Sequence, residues 1–245
     1  MFLIVPYFMI KSFLILLSIS ISLFSSEQIL LVVSDDFNSS KAKLECFEDG
    51  KKVFDTISVN LGKKGLAWGI GMHQFSQDKN EPIKMEGDKK APAGIFKLTS
   101  SFGYNATTHL KLPYLFTSKE LICVDDSKSN FYNQIITAHG DEKSFEFMKR
   151  KDHQYKLGIV VEHNKMAKEQ RGSCIFLHVE KSPGAGTAGC TSMQYKDLEK
   201  ILNWLDKTKN PILIQIPRSR TKEILWLYPE LEHSSKQVKD RGHTR

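Results

Sequence analysis

Alternation of hydrophobic and polar residues along the chain predicts a protein built mainly from β-strands. Two alternating segments, 41–48 and 52–59, flank Asp49-Gly50, a dipeptide typical of a tight turn, and together they predict a hairpin. Further apolar segments bounded by turn residues predict strands over 28–33, 91–98 with its end at 102–104, 121–126, 157–161, 173–179 and 211–216. Strands of this kind, separated by glycine-rich loops, favour a single mostly-β domain.

Helical periodicity is confined to short segments. Apolar residues recur at helical spacing between Met193 and Lys207, which predicts one helix. Residues 145–150 suggest a short mobile or helical piece, and 224–231 a short packing segment. The polar end, 233–245, is expected to be disordered. The sequence therefore predicts one mostly-β domain over 28–217 with a few short helices, followed by a C-terminal extension over 218–245.

The N-terminus has the pattern of an export signal. An apolar run over 12–24 follows Lys11 and precedes Ser25-Ser26, which predicts a signal peptide over 1–26. The run is shorter than the ~20 residues that a membrane span needs. Apolar residues before Lys11 leave an uncleaved anchor as the alternative, and membrane contact is expected only through this segment. We therefore expect a periplasmic or cell-envelope protein.

Composition and charge narrow the classes of partner. The chain is 40% hydrophobic and 26% charged, as in a globular protein, and carries a formal charge of +7. Residues 1–26 contribute one Lys and no acid, so the charge without them is +6. A basic exported protein suits an anionic envelope polymer or membrane surface, although a merely basic surface is an equal alternative. The basic residues are not interleaved with aromatic residues, so no nucleic-acid partner is expected.

Four cysteines leave the disulfide pattern open. In an exported chain they allow two disulfides, and Cys46 and Cys123 are candidates for pairing across the sheet. Cys174 precedes an apolar segment and is expected to be a buried thiol. The spacings contain no paired C-x-x-C element, so neither a metal site nor a cofactor is predicted.

His178 and Cys190 form the strongest candidate for chemistry. An apolar strand ends with His178, and a loop of small residues over 182–189 leads to Cys190, followed by the helical pattern. A thiolate nucleophile with an imidazole base performs acyl transfer, and a helix N-terminus after the cysteine would lower the thiol pKa. The alternatives are that Cys190 is an inert buried thiol and that His178 is a core histidine whose hydrogen bonds are all made within the protein.

Five segments in order carry a resemblance to a known family. They are 60–69, 86–96, Val124-Asp125-Asp126 with Tyr132-Asn133, 155–164, and the His178 and Cys190 segments. Over residues 28–216 the chain resembles the L,D-transpeptidase catalytic domain, the YkuD or ErfK/YbiS/YcfS/YnhG superfamily. The similarity is to a branch with Thr-Ala-Gly-Cys in place of Ser-His-Gly-Cys.

The resemblance implies a sandwich-like β fold and chemistry on peptidoglycan stem peptides. It implies that Cys190 is the nucleophile, that His178 is the base, and that the backbone N–H groups of Gly189 and Cys190 form the oxyanion hole. The donor would be a tetrapeptide, acylating the enzyme at the bond between its third residue, a diamino acid, and D-Ala.

Two positions depart from the commoner family pattern. Ala188 stands where a His is usual, and Ser192 stands where an Arg is common. Binding of a substrate carboxylate by that Arg cannot therefore be transferred to this chain. Either another basic residue binds the carboxylate or the substrate differs.

Several further residues are candidates for the site. A third group should fix the imidazole tautomer of His178, either a backbone carbonyl or a side chain. The side-chain candidates for that role are His139, His163 and Ser173. The candidates for substrate binding are His139, His163, Asn164 and Trp68, with turn and core roles as the alternatives. The segment Asp125-Asp126 with Tyr132-Asn133 is a candidate for contacting the diamino acid's amine, or for turn formation.

Three functions fit these observations. The first is an exported L,D-transpeptidase. The second uses the same acyl-enzyme but resolves it with water, which gives an L,D-carboxypeptidase or hydrolase. The third is a non-catalytic envelope-binding protein on this fold. The departures from the commoner family pattern at Ala188 and Ser192 are the reason to consider it.

Overall fold

The computed structural model describes residues 27–106 and 108–232. The predicted signal peptide over 1–26 and the predicted disordered end over 233–245 lie outside the described residues. Within the described residues, none of the helices has the length and apolar character required to cross a membrane.

The described residues form fourteen strands and two α-helices. The strands are β1 (Gln28–Ser34), β2 (Lys41–Glu48), β3 (Lys51–Lys52), β4 (Ile57–Asn60), β5 (Leu66–Trp68), β6 (Ala91–Gly103), β7 (Tyr114–Phe116), β8 (Leu121–Val124), β9 (Ile135–Thr137), β10 (Phe145–Phe147), β11 (Leu157–Val161), β12 (Phe176–Val179), β13 (Thr191–Met193) and β14 (Ile212–Pro217). The helices are α1 (Tyr195–Trp204) and α2 (Thr221–Leu227), and short 3-10 turns cover Lys207–Lys209 and Arg218–Arg220.

The main sheet closes on itself. Its strands run in the order β1-β14-β6-β11-β12-β13-β4-β2, and β2 pairs back with β1. Strands β1 and β14 are parallel, as are β12 and β13, whereas the other neighbours in the ring are antiparallel. Most of the buried apolar residues of the ring line one main core. The prediction of a mostly-β fold with a few short helices is therefore confirmed.

The predicted hairpin is present. Asp49 and Gly50 both have positive φ, 50° and 72°, as a tight turn between β2 and β3 requires. The returning strand breaks after β3 and resumes as β4, where Asn60 pairs with Lys41.

The predicted helix begins later than its periodicity indicated. Residues 191–193 form strand β13, and α1 starts at Tyr195. The helix buries Leu198, Ile201 and Leu202 and packs against β11 and β12. The apolar spacing of the helix continues across its N-terminal end into β13. Met193 therefore fits the helical period although it is a strand residue.

A second, three-stranded sheet lies beside the ring. Its order is β10-β8-β9. The prediction of a mobile or helical piece over 145–150 was wrong, because Phe145, Glu146 and Phe147 pair in register with β8. Three residues are too few for their alternation to identify a strand from sequence.

One disulfide joins the small sheet to the ring. Cys123 of β8 is bonded to Cys174, which precedes β12, with a Cα–Cα distance of 6.0 Å. The interpretations of Cys174 as a thiol and of Cys46 and Cys123 as a pair were therefore wrong. Cys46 is a free thiol buried in the main core, because β2 directs its side chain there and not toward β8. The bonded cysteines belong to a second buried cluster that also contains Phe102, Met148, Tyr155, Phe176 and Cys190.

Candidate active site

The parallel pairing of β12 and β13 places His178 and Cys190 on one side of the sheet. His178 is in register with Ser192, and Cys190 precedes Ser192 by two residues. Residues two apart on an extended chain share a face. Both His178 and Cys190 line a cavity of about 240 Å³ between the ring and the small sheet.

The Cys190 thiol is buried, with 8% of the residue exposed. Its Sγ accepts from the backbone N–H of Phe176 at 3.4 Å and lies 3.5 Å from the carbonyl oxygen of Cys174. Burial, and then the nearby charge of Glu146, raise the pKa of the thiol to about 12. The expectation that a helix N-terminus lowers this pKa was wrong, because β13 separates Cys190 from α1.

His178 is held by the backbone of its own strand. Its Nδ1 lies 2.8 Å from the carbonyl oxygen of Val179. A carbonyl only accepts, so Nδ1 carries the proton and the Nε2 lone pair is free. Burial lowers the pKa of His178 to about 4, which makes the ring neutral at pH 7. Of the candidates for fixing the imidazole tautomer, a backbone carbonyl is the one that contacts His178.

Tyr155 and Glu146 were not identified from the sequence, yet both line the cavity. The edge of the Tyr155 ring packs against His178, with ring centroids 5.3 Å apart. Its hydroxyl donates to Glu146 Oε2 at 2.5 Å and contacts the Cys190 thiol. Burial raises the pKa of Glu146, and the bond from Tyr155 opposes that rise. The phenol thus touches Cys190, the imidazole of His178 and the carboxylate of Glu146.

Thr187 shapes the turn that presents Cys190. Its Oγ1 accepts from the Gly189 N–H at 3.1 Å and donates to the Cys190 carbonyl at 2.5 Å. The Gly189 N–H, predicted for the oxyanion hole, is thus bonded within the turn. The Cys190 N–H donates to no protein group among the residues that the structure describes, so it is available to an oxyanion.

Two cations line the cavity, and each has an acidic partner outside it. Lys84 is 2% exposed, and its Nζ bonds to Asp88 Oδ1 at 2.6 Å and to the Met85 carbonyl at 2.7 Å. Arg150 forms a two-pronged ion pair with Asp152, at 2.9 and 2.7 Å, and its guanidinium lies over the Tyr155 ring.

Three carboxylates line the same cavity. Glu86 accepts from the hydroxyls of Tyr132 and Ser173, the latter at 2.8 Å. Glu146 accepts from Tyr155. The Oδ1 atom of Asp125 is buried and has no hydrogen-bond partner.

His139 and Trp68 do not line this cavity. His139 is exposed in the loop that follows β9, where its ring stacks on Phe131. Trp68 is buried in the main core, stacks on Phe75 and donates from Nε1 to Glu81 at 2.8 Å. The structure therefore does not bring either residue to Cys190.

His163 and Asn164 are adjacent buried residues outside the Cys190 cavity. His163 accepts from the Ile70 N–H at Nδ1 and contacts the Arg171 carbonyl through Nε2 at 2.9 Å, and burial lowers its pKa to about 4. Asn164 has a φ of 50° and bonds to Lys168 and Gly172. Their side chains shape the 164–172 loop and are not among the residues that line the Cys190 cavity.

The two departures from the commoner family pattern have different surroundings. Ala188 lines the cavity with no polar group of its own. Ser192 is buried beside His178, and its Oγ has no hydrogen-bond partner. A cation at position 192 would therefore be enclosed beside the imidazole. Within the described residues, no cluster of three or more His, Cys, Asp or Glu could hold a metal ion.

Comparison with known proteins assigns the chain to a family. The family model for YkuD, the L,D-transpeptidase catalytic domain, matches residues 32–214. The chain belongs to this family, and the resemblance noted in the sequence is confirmed.

A solved structure is also similar to this chain. It is the helical cell shape determining protein Pgp2 (K307A mutant) from Campylobacter jejuni, with 15% identity and a TM-score of 0.38. The alignment covers 78% of this chain and 47% of that one, so the chain spans about half the length of that protein. A search of curated proteins finds no match.

Proposed function

We propose that the protein is an exported L,D-transpeptidase that acts on peptidoglycan stem peptides, with Cys190 as nucleophile and His178 as general base. The observation that carries the proposal is the shared cavity, in which a buried thiol and a neutral imidazole of fixed tautomer face the same space. The family supports the substrate class, because its members are L,D-transpeptidases.

Burial favours a neutral resting pair over a thiolate and an imidazolium. A pKa near 12 for Cys190 and near 4 for His178 both disfavour charge before substrate binds. The proton therefore moves as the bond forms. His178 Nε2 takes the Sγ proton while sulfur attacks the carbonyl carbon of the diamino acid, and the oxyanion faces the Cys190 N–H.

The intermediate then collapses to an acyl-enzyme. The C–N bond to D-Ala breaks, the imidazolium returns its proton to the leaving amine, and a thioester remains on Cys190. An acceptor amine attacks this thioester with His178 again taking the proton, and a new amide releases the thiol. If water attacks instead, the product is a tripeptide, as in an L,D-carboxypeptidase.

Export is part of the proposal. The Cys123–Cys174 disulfide supports an oxidising compartment such as the periplasm or cell envelope. The predicted signal peptide agrees with this location.

Mass spectrometry of the purified protein tests the proposal. Wild type and Cys190→Ala would be incubated with a disaccharide-tetrapeptide, with and without a D-amino acid. We expect loss of D-Ala and exchange of the D-amino acid in wild type, and neither in Cys190→Ala. Cys46→Ala is the matched control, because it removes the other free thiol from a different core.

The other outcomes separate the alternatives. Conversion to tripeptide without exchange would replace transpeptidation by carboxypeptidation. Release of D-Ala by Cys190→Ala would overturn the assignment of the nucleophile. The absence of both turnover and adduct would favour a binding protein.

A further inference from the structure

The cavity beside Cys190 is lined by carboxyl groups that are not paired with the cations of the same cavity. Its carboxylates are Glu86, Asp125 and Glu146, and among the residues that the structure describes none of them forms an ion pair within 4.0 Å. Lys84 and Arg150 face the same space but are already paired with Asp88 and Asp152. The three carboxyl groups of the cavity therefore have no cationic partner of their own.

The small sheet directs two of these carboxylates toward the nucleophile. Glu146 of β10 is in register with Cys123 of β8, and Asp125 follows Cys123 by two residues. Positions two apart share a face, so Asp125 and Glu146 lie on the same side of the small sheet. Burial raises the pKa of Glu146, and the nearby charges of Asp125 and Glu86 add to that rise, which agrees with their closeness in the cavity.

A separate observation points to a missing ligand. The buried Oδ1 of Asp125 accepts no hydrogen bond. A buried carboxylate oxygen without a donor is costly, and it is stabilised when a ligand supplies an N–H group. By contrast, Glu86 and Glu146 each accept a hydrogen bond from a hydroxyl group. Of the three carboxylates, Asp125 is therefore the one with a buried oxygen that has no donor.

We propose that Asp125 and Glu146 bind the protonated side-chain amine of the diamino acid in the donor stem. This inference rests on the proposed function and specifies its substrate. An ammonium group supplies three N–H donors and the cationic partner that these carboxylates do not have. The scissile carbonyl belongs to the same diamino acid, so its amine reaches the small sheet while its carbonyl faces Cys190.

Selection against cross-linked stems follows from this chemistry. When the side-chain amine is acylated in a cross-link, it loses its charge and gains an acyl chain. The carboxylates would then remain desolvated without a cation, in a cavity of about 240 Å³. The enzyme therefore acts on stems whose diamino acid is not yet joined to a neighbour through this amine.

A pair of donors tests the proposal on the wild-type protein. Rates of D-Ala release would be compared for a disaccharide-tetrapeptide with a free side-chain amine and for the same compound acetylated at that amine. We expect kcat/KM to be at least about tenfold higher for the free amine, because a buried charged hydrogen bond is lost on acetylation.

Variants that neutralise one carboxylate then test which residues cause the preference for the free amine. Asp125→Asn and Glu146→Gln should each lower kcat/KM for the free-amine donor about tenfold and bring the ratio between the two donors toward one. Glu120→Gln is the matched control, because Glu120 is an exposed acid immediately before β8 and outside the cavity. Thermal unfolding checks that each variant is folded.

The outcomes distinguish this inference from the proposed function. Equal use of both donors by wild type would overturn the inference and leave the function standing. A preference that survives in both variants would overturn the assignment to Asp125 and Glu146. Absence of turnover of either donor, with no adduct on Cys190, would overturn the function and the inference together.

Discussion

The imidazole Nδ1 of His178 lies 2.8 Å from the carbonyl oxygen of Val179, the next residue along β12. The strand itself therefore fixes the tautomer, without an acidic side chain. A neutral imidazole with a free Nε2 lone pair is the form that can accept a proton from a thiol. Its orientation is further restricted by the edge of Tyr155.

The reactivity of Cys190 should rise steeply with pH. Because burial raises its thiol pKa to about 12, the thiolate fraction increases about tenfold for each pH unit between pH 6 and 10. Alkylation by iodoacetamide, followed by peptide mapping to separate Cys190 from Cys46, should show this slope. A rate that stays constant above pH 6 would instead indicate a preformed thiolate–imidazolium pair.

Stability should fall as the pH drops from 6.5 toward 4. Burial lowers the pKa of both His178 and His163 to about 4, so the unfolded chain binds protons first over this range. Unfolding is then favoured by up to about 3 kcal/mol for each histidine. Urea unfolding at pH 7.5 and 4.5 measures the effect.

His163→Gln provides the control for that effect, because it removes one buried titrating ring away from the Cys190 cavity. Its free energy of unfolding should depend less on pH than that of wild type. An identical pH dependence in the two proteins would contradict the assignment to buried histidines.

Loss of the Tyr155 hydroxyl should reduce activity more than stability. Tyr155→Phe keeps the ring that packs on His178 but removes the bond to Glu146 and the contact with the Cys190 thiol. We expect D-Ala release to fall at least about tenfold, with a loss of about 1 kcal/mol in the free energy of unfolding. Tyr114→Phe, which removes a surface bond to the Asn105 carbonyl, should leave activity unchanged. Full activity in Tyr155→Phe would show that its hydroxyl serves packing alone.

Reduction of the Cys123–Cys174 disulfide should destabilise the site. The bond spans a sequence separation of 51 residues, for which loop closure predicts a contribution of about 4 kcal/mol. Chemical unfolding of wild type and of a Cys123→Ala/Cys174→Ala variant measures this difference. The cavity joins the two parts that the bond connects, so D-Ala release should fall in parallel. Equal stability of the two proteins would show that packing alone holds the small sheet.

Much of the fold could be predicted from the sequence because its strands are apolar and bounded by clear turns. The hairpin at Asp49-Gly50 and strand β14 are examples. Strand β10 was missed because its three residues carry too little periodicity. The start of α1 was misplaced because β13 continues the same apolar spacing.

Some residues of the candidate site could likewise be predicted from the sequence, and others could not. His178 and Cys190 were identifiable because one strand and one loop present them, and the structure places both on one cavity. Glu146 was not, because it reaches the cavity beside Cys190 only through strand pairing and the disulfide, whereas Asp125 was already a candidate for binding the substrate amine. The pairing of Cys123 with Cys174 depends on that same long-range packing. No local pattern encodes such contacts.

The closed ring has a consequence for how the chain acquires its structure. Strand β1, near the beginning of the chain, is enclosed by β2 and by β14, whose last residue is Pro217. The ring therefore remains open along one seam until the C-terminal part of the domain has emerged. A chain that is exported from its N-terminus in an extended form would complete its fold, and with it the cavity beside Cys190, only on the far side of the membrane.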